Sequence, residues 1–386
     1  MSQYDFTNPP SRAGTGSLKW TAYLDRDVLP LWVADMDFQS APEILHALRE
    51  RVDHGIFGYT LPDRGVEEAV LHYLSNTHGI EADPSWLCWL PGLVPALNVV
   101  SQAIGEAGDA VMTCTPVYPP FLSAPKNQTR ELITVPLCRR DDRWTFAFAA
   151  MEAAVTPRTK LFILCNPHNP IGRVFSRAEL LELTAFCERH NLTLCSDEIH
   201  CDLILDDVPH IATATLGDAV AERTISLFAP SKTYNLPGLS CAYAVISNPT
   251  LRTAFRRAAQ GYITEVNCFG YTGCEAAYRH GEPWRQALLA VLRQNREQLY
   301  TFVAENLPEI TIHPMEATYL AWMDFRKYGL ENPAAHVESH GLALSDGRLF
   351  GNPGWLRLNF GCSPTLLEQA LERLHRAMTT KSVSGA

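Results

Sequence analysis

A chain of 386 residues exceeds one small domain and can bury a large core, so one large domain with a smaller companion is the natural expectation. Its formal charge of −10 argues against nucleic acid or an anionic membrane surface as a general partner. Every long apolar run is broken by charge or proline well short of a membrane span, and the polar stretch Met1 to Arg12 has no apolar leader. A cytoplasmic location follows as an expectation. The eleven cysteines are scattered without a C-x-x-C pair, and Cys88, Cys114, Cys165 and Cys195 fall inside apolar runs. Free, buried thiols in a reducing compartment are therefore expected.

In chain order, the segment before about Pro42 is rich in turns, has no sheet of its own, and is expected to pack against the C-terminal part. Short apolar runs follow at Trp86 to Leu90, Ala110 to Cys114, Leu132 to Val135, Leu161 to Cys165, Leu192 to Ser196, Thr224 to Phe228 and Ala242 to Ile246. They alternate with helical patterns, which predicts an α/β fold with a mostly parallel seven-stranded sheet between helices. Arg177 to His190 carries apolar residues at helical spacing, with Ser176 and Glu179 as a capping box. A long helix is predicted from about Pro283 to Asn306. Thr311 to Met323, Ala335 to His340, Leu356 to Phe360 and Pro364 to Met378 then read as a second, smaller α+β unit. The expected division is 43–283 as the large domain and 1–42 with 284–386 as the small one, with the tail Thr379 to Ala386 disordered.

Two residues carry the chemistry. Lys232 stands on a small-residue turn straight after the apolar run Thr224 to Phe228, and Asp197 ends the run Leu192 to Ser196, where open α/β sheets place their ligands. Alone, such a lysine is more often a solvated surface residue and such an aspartate more often a turn or helix cap. Together they read as a pyridoxal phosphate site, which needs an amine to hold the aldehyde covalently and a carboxylate to keep the pyridine nitrogen protonated. Gly92, Leu93 and Val94 open a helix whose free N–H groups suit the cofactor phosphate. Arg357 lies in a short strand near the C-terminus. It is assigned the α-carboxylate of an amino-acid substrate, with an ordinary buried ion pair as the alternative. No metal site is expected. The histidines are dispersed, and adjacent His200, Cys201 and Asp202 would point to opposite faces if they lay on a strand.

Three further segments give these residues a context: Pro91 to Asn98, Cys165 to Gly172, and Trp355 to Gly361. Their order and spacing resemble the fold-type-I pyridoxal phosphate enzymes of the aspartate aminotransferase superfamily. Leu31 to Phe38, Gly55 to Thr60, Asp197 to His200 and Pro230 to Asn235 look more closely like the bacterial cystathionine β-lyase and cysteine-S-conjugate β-lyase group, which includes the maltose-regulon modulator. The resemblance runs from about Trp20 to about Leu374.

That resemblance implies roles. Lys232 would remove the Cα proton and Asp197 would pair with the pyridinium. Tyr118 would stack on the ring, His200 and Asn169 would stand near its phenolic oxygen, and Asn169 would also help hold the substrate carboxylate. Ser231 and Ser240 would add to the phosphate cup. Ala229 and Ser240 stand where aspartate aminotransferases have serine and arginine, so the cup lacks its usual cation. In the lyase group a tyrosine from the neighbouring subunit reaches the phosphate and the substrate side of the pocket. Tyr59 matches it, which implies a homodimer with shared sites. The implied reaction is β-elimination from an L-cysteine S-conjugate such as cystathionine. The alternatives are a class I/II aminotransferase and a regulatory protein that binds a transcription activator.

Overall fold

The computed structural model describes residues 4–380. All seven predicted strands form one sheet: β1 (Leu87–Leu90), β2 (Ala110–Thr115), β3 (Glu131–Pro136), β4 (Thr159–Cys165), β5 (Thr193–Asp197), β6 (Thr224–Phe228) and β7 (Ala242–Val245). Their spatial order is β1-β7-β6-β5-β4-β2-β3. Only β7 runs antiparallel to its neighbours, while β6, β5, β4, β2 and β3 are parallel. Side chains that alternate across these strands feed two cores. Leu161, Ile163 and Cys165 of β4 pack with Ala96, Leu97 and Val100 of the helix Leu93–Ala103, whereas Phe162 and Leu164 meet Leu180, Leu183 and Phe186 of the helix Arg177–Arg189. The second helix starts as its sequence predicts, since both capping-box bonds between Ser176 and Glu179 are present.

The long helix runs Glu282–Asn306, and after it come β8 (Thr311–Ile312), β9 (Leu320–Asp324), β10 (Ser345–Asp346) and β11 (Trp355–Asn359) in an antiparallel sheet of order β8-β9-β11-β10. The stretch expected as one element from Thr311 to Met323 is two strands separated by a loop. Leu29–Pro30 pairs in parallel with Leu342–Ala343, and Phe6 and Phe38 pack in one cluster with Trp284 and Leu288 of the long helix. Two helices without a sequence expectation, Pro42–His54 and Arg64–His78, end at Gly55 and Gly79, whose φ values of 73° and 66° few other residues adopt. Residues 199–202 form a turn and not a strand, so the geometric reason for expecting no metal there does not hold. The last helix, Pro364–Thr379, takes in the start of the tail expected to be disordered, whose residues 381–386 lie outside the described residues. All eleven cysteines are free and ten are buried. No described helix is long and apolar enough to cross a membrane.

Candidate active site

At the C-terminal ends of β4 and β5 lies a cavity of about 240 Å³, bounded on one side by the start of the helix Leu93–Ala103. Lys232 enters it from a tight turn after β6, in which Tyr234 N–H donates to Pro230 O at 2.9 Å and Leu236 N–H to Ser231 O at 2.9 Å. Among the described residues the amine is the one lysine or arginine group on the cavity wall, and it donates to Ala34 O at 2.5 Å. Burial, helped by the Arg357 charge, lowers its pKa to about 8. A neutral minority, far larger than for an ordinary lysine, is therefore present near physiological pH.

Asp197 ends β5 and is 4% exposed. Its carboxylate accepts Ile199 N–H at 3.1 Å and makes no ion pair among the described residues. Burial, with the charge of neighbouring Glu198, raises its pKa to about 7 against the pull of Ile199 N–H and Lys232. A buried carboxylate with no ion-pair partner among the described residues fits the protonated nitrogen of a pyridine ring. His200 also reaches the cavity. Burial and the charges of Lys232 and Arg357 hold its pKa down to about 3, so its ring is neutral, and its buried Nδ1 has no partner.

Asn169 sits in a loop closed by Gly172, where φ is 68° and a Cβ would stand 3.0 Å from Ala317 O. The Asn169 carbonyl accepts Tyr118 N–H at 3.1 Å, which fixes that tyrosine on the cavity wall. The Asn169 side chain accepts from Arg357 Nη1 at 3.0 Å. Along β11, Leu356 and Leu358 face the hydrophobic core, and Arg357 points the other way. Its Nη2 donates to Trp32 O at 2.9 Å and Ser345 Oγ at 3.2 Å, its Nε is buried without a partner, and it lies 4.8 Å over the Phe350 ring. Among the described residues no carboxylate pairs with it, so the ordinary buried ion pair is not what the fold builds. Burial lowers its pKa to about 10, which leaves it cationic at neutral pH.

Gly92, Leu93 and Val94 line the opposite wall, and no side chain caps their helix. Ser231 and Ser240 complete that side, Ser240 with φ of 54° after the turn Pro237–Leu239. The cavity thus brings together ten of the twelve expected residues. Arg357 adjoins them through Asn169, whereas Tyr59 is fully exposed and reaches no part of this chain's cavity. An amine poised near neutrality, an unpaired buried carboxylate and an uncapped helix start together fit pyridoxal phosphate.

Sequence reasoning missed what holds the lysine's ceiling. Ala34 O receives both Lys232 Nζ and Tyr319 OH, the latter at 2.9 Å. Asn235 accepts Met36 N–H at 3.0 Å and donates to Met36 O and Phe38 O, pinning the segment to the lysine turn. Asn359 donates to Val33 O and Asp35 O. Both asparagines lie in segments that carry the family resemblance, which was the available signal; a backbone carbonyl such as that of Ala34 gives none.

The chain is 37% identical to cystathionine β-lyase PatB of Bacillus subtilis (strain 168), over 97% of this chain and all of that protein. Its structure superposes on the crystal structure of OvoB with a TM-score of 0.95 at 42% identity, covering 97% of this chain and 99% of the other. Cystalysin from Treponema denticola, whose crystal structure contains a pyridoxal 5′-phosphate cofactor, gives 0.93 at 32% identity, covering 97% and 98%. The family of class I and II aminotransferases matches residues 26–374, and the chain belongs to it, with the fold type I architecture.

Proposed function

We propose that the chain is a pyridoxal phosphate-dependent carbon–sulfur β-lyase that cleaves L-cysteine S-conjugates such as cystathionine to a thiol, pyruvate and ammonia. The observation that carries this reading is the pairing of Lys232, near neutrality, with the buried, unpaired Asp197 in one cavity. Likeness to a cystathionine β-lyase over the whole length favours elimination over amino transfer. When bound, pyridoxal phosphate supplies a sink for the electron pair left at Cα. Arg357 holds the substrate α-carboxylate with a guanidinium that has no acidic partner of its own, and its bond to Asn169 aims it. Tyr118 would offer a flat face to the cofactor ring, and the start of the Leu93–Ala103 helix would offer its amides to the phosphate. Lys232 Nζ takes the Cα proton from within the same cavity, which makes the transfer intramolecular. Thiolate leaves Cβ with the bonding electrons, and hydrolysis of the remaining three-carbon unit gives pyruvate and ammonia.

The same reading assigns a homodimer in the cytoplasm, with residues 43–283 as the cofactor domain and 1–42 with 284–386 as the smaller one. Tyr59 stands fully exposed among Ile56, Phe57 and Leu61, also exposed, as befits a residue that serves the other subunit's phosphate cup. Incubation of the purified protein with cystathionine should release thiol and pyruvate in equal amounts. Conversion of an added 2-oxo acid to an amino acid without thiol release would overturn the assignment in favour of an aminotransferase.

A further inference from the structure

Behind the turn that carries His200, the fold gathers a second set of donor atoms that the reaction does not use. His78 closes the helix Arg64–His78, Cys201 and Asp202 lie on the turn 199–202, and His210 belongs to the loop beyond it. One ligand atom from each of His78, Cys201 and His210 lies within 4.8 Å of the other two. His78 Nε2 is 3.5 Å from Cys201 Sγ and 3.5 Å from Asp202 Oδ1, and its present partner is Tyr73 OH at 2.8 Å, which the ion would replace. Donors that share a tetrahedral ion at ~2.0–2.3 Å stand roughly 3.3–3.8 Å apart. The side chains of His78, Asp202 and His210 are no more than 4% exposed, and Cys201 is buried.

His210 gives the independent indication. Its Nε2 lies 2.8 Å from Glu198 Oε2, and Glu198 in turn accepts Thr213 N–H at 3.0 Å. With Nε2 donating to that carboxylate, the lone pair is on Nδ1, which is buried and has no partner. Carboxylate, imidazole and metal are coupled in this way around bound zinc. We propose that His78, Cys201 and His210 bind one zinc ion, with Asp202 beside His78. Two neutral imidazoles and a thiolate, with the Asp202 carboxylate next to His78, balance a divalent charge, and the sulfur selects zinc over magnesium or calcium. A cavity of about 420 Å³ lined by Tyr73, Asp202 and Arg285 lies beside the cluster. Three protein donors leave one position for water, and the ion ties the turn bearing His200 to the helix Arg64–His78.

The test uses untagged holoenzyme, titrated with zinc against a chromophoric chelator and then dialysed for metal analysis. One zinc per chain is expected, with a rise in Tm that Cys201→Ser lacks. Cobalt in place of zinc should give a thiolate charge-transfer band that Cys201→Ser abolishes. Glu198→Gln should weaken zinc binding about 10- to 100-fold. The wild-type metal content and cobalt band stand even where a variant fails to fold. Zinc at background level, cobalt bound without a thiolate band, or zinc held equally by a folded Cys201→Ser protein would each overturn the site.

Discussion

Asp197→Asn should stabilise the cofactor-free protein above neutral pH, although it removes a central residue of the site. The carboxylate is 4% exposed, with Ile199 N–H as its donor and no ion pair among the described residues. Burial raises its pKa from 3.8 to about 7, the reverse of the usual carboxylate shift. The unfolded chain therefore loses this proton at lower pH than the native state does, and stability falls as pH rises from about 4 to about 7. Above that window the whole cost is present, on the order of 4 kcal/mol at 1.36 kcal/mol per decade. Asparagine carries no such charge, and its amide oxygen can keep the bond to Ile199. Urea melts of the two apoproteins should favour the variant by about 4 kcal/mol near pH 8 and by less than half of that near pH 5. Cofactor should reverse the preference, because the wild-type carboxylate then gains a cationic partner. A variant no more stable than wild type near pH 8 without cofactor, or an advantage that does not shrink towards pH 5, would refute the reasoning.

Lys232→Ala should abolish pyruvate release from cystathionine, and retention of more than a few per cent of wild-type turnover would remove the lysine from its role. Tyr59→Phe should bind pyridoxal phosphate about 10- to 100-fold more weakly, from the loss of one bond to a charged group at roughly 1.5–3 kcal/mol. Mixed with the Lys232→Ala protein, it should regain partial activity in heterodimers; a fully active monomer by sedimentation would show that Tyr59 has no such role. Arg357→Lys should raise KM for the amino acid while the bound cofactor's absorbance stays unchanged, because an ammonium cannot span both the substrate carboxylate and Asn169. An unaltered KM would return Arg357 to a purely structural part.

Much of the fold was legible because it is written in side-chain periodicity. The seven apolar runs could only be buried strands between helices, and Ser176 with Glu179 announced a helix start from two residues. The site was legible where chemistry demands a residue type, as with Lys232, Asp197 and Arg357. What escaped is carried by groups with no side-chain signature or with long-range partners. The carbonyl of Ala34 meets Lys232 across 198 positions of chain, and no local pattern reports that. His78 and Cys201 lie 123 positions apart, and weighing His200, Cys201 and Asp202 only as strand residues hid their convergence. The helix Arg64–His78 buries Val66, Ala69, Val70, Tyr73 and Leu74 at helical spacing, a pattern the sequence carried and the reading passed over, whereas Pro42–His54 fully buries only Ile44, a weaker signal.

The account turns on Lys232 as the amine that holds the cofactor. Reduction of the purified yellow protein with borohydride, followed by peptide mapping, tests it most directly. The account predicts loss of the yellow colour and a single pyridoxyl-phosphate adduct on the peptide containing Lys232. An adduct on another lysine, or a colourless protein that added pyridoxal phosphate does not restore, would contradict it.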